Sequence, residues 1–473
     1  MADPKQDRRE AAADFTAFGL IEPLQRALDG LGFTKPTPVQ ADALPFALAG
    51  RDVLACASTG SGKTAAFVLP MLQRLQNLKR GTTRALVLVP TRELAMQVVE
   101  HVDQLATHVP VRAAAIYGGV GMLAQEQAFR RGVDILVATP GRLLDHMQYD
   151  YAALAGIEML VLDEADRMLD MGFLPAIRRV LQHLPKRERQ TLFFSATMPP
   201  AIGGLARELL VRPATVNLER KAAPAEGITQ ALYPVPGALK VDLLVELLRR
   251  DEIGNAIVFC RTKHRANRVA EKLNRAGILC ERIHGNRSQA QRTKALAGFK
   301  DGTFRVLVAT DVVARGIDVT ALEHVVNFDV PAAAEDYIHR VGRTARADAT
   351  GDAYTFVAPE EETELRDIER RLGGRIARRT VSGFDYSARA ERLEVPIQER
   401  LAAARAARQG RRPKQPAGAA SGSRNRRPTD DARSARDRPT SRNQDAPRTR
   451  AESPDGQQKP DGRRRRRRGG RGR

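Results

Sequence analysis

The chain has 473 residues, a length that allows about two to four domains, and 42% of its residues are hydrophobic. Its formal net charge is +21, but residues 401–473 carry +16 of that charge and residues 1–400 only +5. Strong basicity is therefore a property of the end of the chain. The composition excludes a uniformly basic core that binds polyanions over its whole surface.

The last part of the chain has a composition that favours disorder. No aromatic residue follows Tyr386, and six arginines stand at 463–468. A segment with this charge and few large apolar residues cannot offset its ordering entropy. We expect a disordered, basic Arg/Gly-rich tail at residues 381–473. Its arginines predict nonspecific contact with RNA or DNA through counterion release, and a tail that only solubilises the protein is the alternative.

The three cysteines, Cys56, Cys260 and Cys280, form no C-x-x-C pair. Cys56 and Cys260 lie in apolar runs, so we interpret them as small core residues, and nothing predicts a disulfide or a zinc site. The first residues contain no apolar signal region, and no apolar run approaches membrane-spanning length. These features predict a cytoplasmic protein with no membrane partner.

Short apolar runs, each followed by a polar motif, occur in two successive series. They lie at residues 53–56, 85–89, 112–117, 134–138, 158–162 and 190–194, and again at 256–259, 279–283, 306–309, 324–328 and 353–358. The runs are continuously apolar rather than alternating, as in strands buried on both faces, and helical patterns lie between them. The pattern predicts α/β domains with doubly wound parallel sheets.

The breaks in this pattern predict the domain boundaries. We expect a flexible N-terminus at residues 1–14, a first domain at 15–219, a linker at 220–226 and a second domain at 227–380. A helical pattern opens the first domain between Phe15 and Leu31. The polar motifs fall just after predicted strands, where open α/β sheets bind their ligands.

The sequence ASTGSGKT at residues 57–64 follows an apolar run and precedes a helical pattern. Its last three residues are typical of a P-loop, although Ala57 stands where the general pattern has a glycine. Lys63 would reach the β- and γ-phosphates of a nucleotide, and the Thr64 hydroxyl would bind Mg²⁺. A loop that only turns the chain is the alternative. The predicted phosphate-binding residues are Ala57, Ser58, Thr59, Gly60, Ser61, Gly62, Lys63 and Thr64.

Two acidic residues, Asp163 and Glu164, follow a predicted strand of the same sheet. A carboxylate at Asp163 can hold Mg²⁺ beside the P-loop, largely through water, and Glu164 can orient or deprotonate the attacking water. Pairs of this kind often lie on solvated surfaces, but a P-loop in the same sheet favours a role in hydrolysis.

The second domain has no Gly-Lys-Thr sequence, but it carries Arg343 and Arg346 three residues apart. We interpret them as arginine fingers, because each domain then supplies what the other lacks, and an ordinary salt-bridged helix is the alternative. Arginine fingers contribute about 10³–10⁵-fold in rate. Hydrolysis would then depend on closure of the two domains.

Asp163-Glu164-Ala165-Asp166 and the order of the other motifs resemble the DEAD-box RNA helicases over roughly residues 15–357. The resemblance implies two tandem RecA-like parallel-sheet domains with an ATP cleft between them. It implies RNA-stimulated ATP hydrolysis, with ATP and Mg²⁺, coupled to local, non-processive unwinding of short RNA duplexes and remodelling of ribonucleoproteins. The first alanine of the P-loop also occurs in that family. The compact core is most similar to the bacterial RhlE-type branch.

The resemblance also assigns roles to further residues near the nucleotide. Gln40 would read the adenine through its amide. Phe33 would stack on the ring and Phe15 would cover it, with core packing as the alternative for both. Gly316 and Asp318 would contact ATP from the second domain.

A further set would contact the RNA backbone or couple hydrolysis to unwinding. The implied RNA contacts, which position a strand without reading its sequence, are Pro90, Thr91, Arg92, Gly118, Gly119, Thr139, Gly141, Arg142, Arg261, Gln289, Arg292, Thr310, Asp311 and Arg315. The implied coupling residues are Ser195, Thr197 and His339. Many members of the family carry glycine where this chain has Ala345, and we expect its methyl group to cost nothing.

Two other functions stay open. A DNA-directed helicase of the same superfamily would share the core. The segment around Gln40 and the Asp-Glu-Ala-Asp sequence of the acidic motif argue against this alternative. An ATP-gated RNA clamp or annealing chaperone would bind RNA without separating strands. The sequence does not name the RNA, so ribosome assembly, messenger decay and cold adaptation are all open, and the candidate partners are ribosomal or RNA-decay proteins.

Overall fold

The computed structural model describes residues 14–57, 60–76, 81–185, 189–217, 227–311, 322–345 and 350–388. The predicted linker at 220–226 and the predicted tail beyond residue 388 lie outside these ranges. None of the helices within the ranges is both long and apolar enough to cross a bilayer.

The first half of the chain forms a parallel sheet. Its strands in the described residues are β1 (Val53–Cys56), β2 (Ala85–Leu88), β3 (Ala113–Ile116), β4 (Ile135–Ala138), β5 (Met159–Leu162), β6 (Gln190–Ser195) and β7 (Ala214–Asn217). Their order across the sheet is β3-β4-β2-β5-β6-β1-β7, and every neighbouring pair is parallel. Along β2, Ala85 and Val87 belong to one hydrophobic core and Leu86 and Leu88 to another. The sheet is therefore buried on both faces, which explains its continuously apolar strands.

Helices join these strands. They begin with a 3₁₀ turn (Phe15–Phe18) and continue as α1 (Glu22–Gly30), α2 (Pro38–Leu48), α3 (Lys63–Leu75), α4 (Arg92–Leu105), α5 (Met122–Arg131), α6 (Pro140–His146), α7 (Ala165–Asp170), α8 (Leu174–Gln182) and α9 (Pro200–Leu209).

The second half forms another parallel sheet. Its strands in the described residues are β8 (Ile228–Pro234), β9 (Ala256–Phe259), β10 (Cys280–Ile283), β11 (Val306–Ala309), β12 (His324–Asn327), β13 (Gly351–Val357) and β14 (Ala377–Arg378). The helices are α10 (Lys240–Arg249), α11 (Lys263–Arg275), α12 (Gln289–Lys300), α13 (Ala334–Val341), a 3₁₀ turn (Pro359–Glu361) and α14 (Glu362–Leu372).

The strand order of the second sheet is β10-β11-β9-β12-β13-β8-β14. This is the order of the first sheet with every strand number raised by seven, so the two halves repeat one topology. Each predicted strand starts and ends within two residues of an observed one, whereas β7, β8 and β14 were not predicted.

The second domain extends past its predicted end at residue 380. Val381 is buried in the core of this domain, and its N–H donates to the Tyr386 hydroxyl (2.9 Å). Phe384 and Tyr386 pack against the same core. Residues 381–388, which the composition assigns to the tail, therefore belong to the folded domain.

Candidate active site and RNA interface

The P-loop connects β1 to α3. Gly62 precedes the first residue of α3 with a left-handed φ of +91°, and Gly60 has a φ of +81°. A Cβ at Gly62 would lie 2.6 Å from Gln40 Nε2 and 2.7 Å from Thr37 Oγ1, so only glycine fits there. The loop is thus packed against the start of α2.

The remaining loop residues occupy different surroundings. Ala57 is buried, and its N–H donates to the Ser195 carbonyl (2.9 Å). Ser61 and Thr64 are half-buried. Ser58 and Thr59 lie outside the described residues, so their phosphate contacts stay predictions.

Gln40 joins the segment before α2 to the P-loop. It is 4% exposed, its Nε2 donates to the Gly62 carbonyl (2.9 Å), and its Oε1 accepts from the Thr37 N–H (2.8 Å). The amide keeps one N–H and one acceptor lone pair, which are the groups that recognition of an adenine edge requires. The structure therefore gives Gln40 an orienting role that the sequence did not predict.

The two aromatic residues predicted near adenine differ in burial. Phe33 is half-buried beside the core of the first domain. Phe15 is 5% exposed within that core and packs edge-on against Phe18. For Phe15 these contacts favour the alternative of core packing.

Lys63 and Asp163 form a buried pair beside the loop. Lys63 Nζ lies 3.8 Å from Asp163 Oδ1, and the side chains are 6% and 4% exposed. Burial raises the pKa of Asp163 to about 6, while Lys63 lowers it. Nζ has no hydrogen-bond partner among the described residues. Because a buried ammonium needs acceptors, this geometry fits a polyphosphate that supplies them.

Glu164 directly follows Asp163 and has an unusual backbone. Its φ of +53° is left-handed, which is uncommon for a residue with a side chain. Its Oε2 lies 3.5 Å from Arg167 Nε, and these side chains are 4% and 1% exposed. Strain of this kind concentrates at functional sites. Arg167 was not among the predicted site residues.

Asp166 ties α7 to the loop after β6. Its Oδ2 accepts from the N–H of Ala196 (3.1 Å), the N–H of Thr197 (2.8 Å) and the hydroxyl of Thr197 (3.0 Å). The Ser195 hydroxyl accepts from the Asp166 N–H (3.1 Å) and donates to the Thr197 carbonyl (2.7 Å). The acidic motif and the predicted coupling residues are therefore one hydrogen-bonded unit. Asp166 was missed, although its place in the acidic motif was a signal.

The ends of β2, β3 and β4 gather the predicted RNA contacts of the first domain at one edge of the sheet. A Cβ on Gly119 would lie 1.9 Å from Arg92 Nη1, and one on Gly118 would lie 3.8 Å from Nη2. Arg92 thus lies across the glycine pair. Pro90 and Thr91 precede it, and the Thr91 hydroxyl caps α4 by accepting from the Leu94 N–H (3.2 Å).

Arg142, in α6, forms hydrogen bonds to the backbone on both sides of the Gly118-Gly119 pair. Its Nε donates to the Tyr117 carbonyl (3.2 Å), and its Nη2 donates to the Val120 carbonyl. The Thr139 hydroxyl donates to the Ile116 carbonyl (3.4 Å). Gly141 is exposed at the start of the helix. The predicted contact residues of this domain are thus neighbours in space.

Two predicted RNA contacts of the second domain meet a residue of the first domain. Arg292 Nη2 donates to Glu93 Oε2 (2.8 Å), and Gln289 Nε2 donates to Glu93 Oε1 (3.3 Å). The side chains of Arg292 and Glu93 are 6% and 1% exposed. The structure therefore gives Gln289 and Arg292 an interdomain partner, and Glu93 was missed by the sequence reasoning.

Asp311 also has a protein partner. Its carboxylate forms a two-point ion pair with Arg340, with Nη2–Oδ2 at 2.7 Å and Nε–Oδ1 at 2.5 Å. Thr310 beside it is buried. Arg261 is 46% exposed, and its Nη2 donates to the Val330 carbonyl (2.9 Å). Of these residues Arg261 retains the most surface for a strand.

One of the two predicted fingers, Arg343, follows the end of α13. His339 is half-buried in this helix, and Arg343 just beyond it is 4% exposed. Ala345 has a left-handed φ of +51°, so the expectation of a cost-free methyl is wrong, because this conformation costs an L-residue about 1–2 kcal/mol. The other predicted residues of this region, Arg315, Gly316, Asp318 and Arg346, lie outside the described residues.

Two α/β domains of one topology, with a P-loop in the first only, define a tandem RecA-like nucleoside triphosphatase of the helicase class. Residues 37–203 match the model of the DEAD/DEAH box helicase family, and residues 239–348 match the model of the helicase conserved C-terminal domain. The DEAD-box ATP-dependent RNA helicase CshA of Geobacillus kaustophilus is 44% identical over 356 residues, which cover 75% of this chain and 76% of that protein. The chain therefore belongs to the DEAD-box ATP-dependent RNA helicases, and the predicted fold class and activity are confirmed.

Other relatives agree with this assignment. CshA of Bacillus subtilis is 43% identical over 75% of this chain and 72% of its own length. S. cerevisiae Dbp5 bound to RNA and ADP BeF3 has a TM-score of 0.71 and 33% identity, covering 78% of this chain and 95% of that one. Mss116p bound to ssRNA and AMP-PNP has a TM-score of 0.70 and 29% identity, covering 78% and 79%. The two relatives at 43–44% identity are both CshA proteins, so the predicted RhlE-type branch is not confirmed.

Proposed function

We propose that this chain hydrolyses ATP at the P-loop and uses the cycle to separate short RNA duplexes locally. The buried Lys63–Asp163 pair carries the proposal, because Lys63 Nζ lacks a hydrogen-bond acceptor among the described residues. Lys63 binds the β- and γ-phosphates, and Glu164 orients the attacking water. Arg343 and Arg346 stabilise the charge that develops in the transition state.

Mg²⁺ is part of this proposal. Asp163 and Thr64 provide a carboxylate and a hydroxyl, which are oxygen ligands that suit a hard cation. The described residues contain no group of three or more His, Cys, Asp or Glu side chains that could hold a metal. Asp163 and Thr64 would therefore hold the ion together with the phosphates and water. When bound, Mg²⁺ neutralises phosphate charge.

Strand separation requires that RNA and ATP favour the same arrangement of the two domains. The Glu93–Arg292 ion pair supports this idea, because it joins the domains beside the predicted RNA contacts of the first domain. ATP and one RNA strand each contact both domains, so each ligand strengthens the binding of the other. The bound strand bends and cannot stay paired, and hydrolysis reopens the domains.

The test compares ATP hydrolysis with RNA, with DNA and without nucleic acid. We expect RNA to raise kcat, DNA to have little effect, and Arg343→Ala to lower RNA-stimulated kcat by roughly 10³-fold. Arg178→Ala is the matched control, because Arg178 is 50% exposed in a surface ion pair. A rate that is independent of RNA, or an unimpaired Arg343→Ala variant, would refute the proposal.

A strand-separation assay decides between a helicase and a clamp. A short duplex with one labelled strand is incubated with the protein and ATP, and strand release is followed. Release that requires ATP supports local unwinding. ATP-dependent retention of RNA with no strand release would instead make the chain an RNA clamp or annealing chaperone.

The basic tail adds nonspecific RNA affinity in this proposal, supported by its net charge of +16 over residues 401–473. Deletion of these residues should weaken RNA binding and flatten its salt dependence, because fewer counterions are released. Basal ATP hydrolysis should not change. An unchanged salt slope would contradict a role of the tail in RNA binding.

The cellular setting also stays a proposal. We infer action in the cytoplasm on ribosomal or RNA-decay substrates, which cell fractionation and crosslinking of the bound RNA would test. The proposed RhlE-type placement rests on the compact core and on the amino-acid sequences of the motifs. The relatives at 43–44% identity instead favour a CshA-like protein.

A further inference from the structure

His146, the last residue of α6, is completely buried. The rings of Phe129 and Tyr151 lie 5.2 and 5.9 Å from its ring. Burial and the nearby Arg142 lower the pKa of His146, against Asp145 and Glu126, which raise it. The ring is therefore neutral at physiological pH and has one N–H donor and one acceptor.

Hydrogen bonds fix which nitrogen carries the proton. Gln125 Nε2 donates to the Tyr117 carbonyl (2.9 Å), which can only accept, so Gln125 Oε1 is the atom that faces His146 Nε2 (3.2 Å). That nitrogen must be the donor, and Nδ1 must accept from the Tyr151 hydroxyl (3.0 Å). The result is a directed chain of hydrogen bonds from Tyr151 through His146 and Gln125 to the Tyr117 carbonyl.

This chain ends at the loop that carries the glycine pair. The Tyr117 carbonyl, one residue before Gly118, accepts from both Gln125 and Arg142. Arg142 also donates to the Val120 carbonyl on the other side of the pair. His146 therefore orients the amide of Gln125. Gln125 and Arg142 both donate to the Tyr117 carbonyl oxygen, and these two hydrogen bonds fix the position where the Gly118-Gly119 loop begins.

We propose that His146 is a positioning residue for RNA binding, acting through Gln125 to fix the Gly118-Gly119 loop and the Arg142 guanidinium against an RNA strand. The inference rests on the proposed role of these residues as RNA contacts. His146 itself touches neither RNA nor ATP. Its loss should change the concentration of RNA needed and leave the chemical step intact.

The test uses the full-length protein and measures ATP hydrolysis against the concentration of a single-stranded RNA. His146→Leu should raise the half-saturating RNA concentration about five- to tenfold, the usual effect of losing a buried hydrogen bond and leaving its partner unpaired. The kcat at saturating RNA and the hydrolysis without RNA should not change. His146→Gln places an amide donor near the position of Nε2 and should restore half-saturation to within about twofold.

Two further variants keep the test decisive if His146→Leu does not fold. Gln125→Met removes the link between His146 and the loop and should reproduce the loss. His101→Leu is the matched control, because His101 in α4 is half-buried and its Nδ1 hydrogen-bonds to the Gln97 carbonyl of the same helix (2.8 Å). A loss in kcat without a change in half-saturation, or no recovery with His146→Gln, would overturn the inference.

Arg142→Ala separates failure of this inference from failure of the proposed RNA contacts. If Arg142→Ala raises the half-saturating RNA concentration and the His146 and Gln125 variants do not, only the positioning role is wrong. If Arg142→Ala has no effect either, the RNA contact itself is wrong. Long-range ¹H–¹⁵N spectra give an independent readout: the His146 signals should show the Nε2–H tautomer, and an Nδ1–H tautomer would refute the hydrogen-bond chain.

Discussion

Gly119 shows how one absent side chain shapes the RNA-binding edge. Its φ is +83°, and the Arg92 guanidinium occupies the space where a Cβ would be. The neighbouring Gly121 has a φ of −59° and nothing within 4 Å of an added Cβ. The two glycines are two residues apart, yet only Gly119 is required by both its backbone and its neighbour.

This difference predicts unequal effects of alanine at the two positions. Gly119→Ala places a methyl group at a left-handed φ, which costs about 1–2 kcal/mol, and displaces Arg92. The half-saturating RNA concentration for ATP hydrolysis should therefore rise at least about tenfold, while Gly121→Ala should stay within about twofold of the parent. Equal effects of the two substitutions would show that RNA binding does not depend on the packing of the Arg92 guanidinium against Gly119.

At the same scale, the sequence predicts some site residues and misses others for physical reasons. Lys63 and Asp163 belong to local motifs whose spacing implies their chemistry, and the structure puts them 3.8 Å apart. Glu93 acts through a residue 199 positions away, so no local pattern can reveal it. The cost at Ala345 depends on its backbone angle, which composition does not give.

At the scale of elements, burial explains which strands are predictable. Strands such as β4 and β11 are buried along their whole length, so their sequences are continuous apolar runs. By contrast, β8 is partly exposed and contains Thr229 and Gln230, and both residues of β14 are exposed. These strands form because a neighbouring strand offers hydrogen bonds, and their own side chains carry little signal.

A buried histidine directly after β10, His284, should make stability depend on pH. His284 is 3% exposed and Nε2 donates to Asn267 Oδ1 (2.9 Å). Burial, followed by the charges of Arg287, Arg282, Lys263 and His264, lowers its pKa from 6.5 to about 4. In the unfolded chain this histidine therefore binds a proton below pH 6.5, whereas in the folded chain it binds one only below about pH 4. Stability from this group is complete above that range and is lost as the pH falls through it.

We expect the free energy of unfolding of the second domain to fall by up to about 3 kcal/mol between these pH values because of His284. His284→Gln keeps a donor for Asn267 and removes the titration, so its melting temperature should fall less steeply with acidification. Calorimetry of the full chain between neutral pH and pH 4 measures this slope. His183→Gln, at an exposed position after α8, is the control, and a parent-like slope in His284→Gln would contradict the prediction.

At the scale of the whole molecule, the two domains share a topology but carry different functional motifs. Both place polar motifs after the carboxyl ends of their strands, and only the first carries the P-loop. The described contacts between them include the ion pair of Glu93 with Arg292 and the hydrogen bond of Glu93 with Gln289. Because both charges of the pair are buried there, each depends on the other domain for its partner.

This dependence predicts that the Glu93–Arg292 pair controls the affinity of the ATP-bound protein for RNA. Glu93→Gln or Arg292→Gln leaves one buried charge unpaired and should weaken RNA binding, measured with a non-hydrolysable ATP analogue, by roughly 10²-fold or more. The exchange Glu93→Arg with Arg292→Glu restores opposite charges and should recover part of the loss. Removing the exposed Arg178–Glu208 pair should change affinity less than about fivefold.

The same variants separate an interdomain role of Arg292 from a direct RNA contact. If Arg292 acts through Glu93, the two single substitutions should have similar effects, the double Gln variant should cost less than their sum, and the charge exchange should rescue. If Arg292 binds a phosphate instead, its loss should exceed that of Glu93→Gln and should lower the salt dependence of RNA binding, and the exchange should be worst of all because it places a carboxylate against RNA.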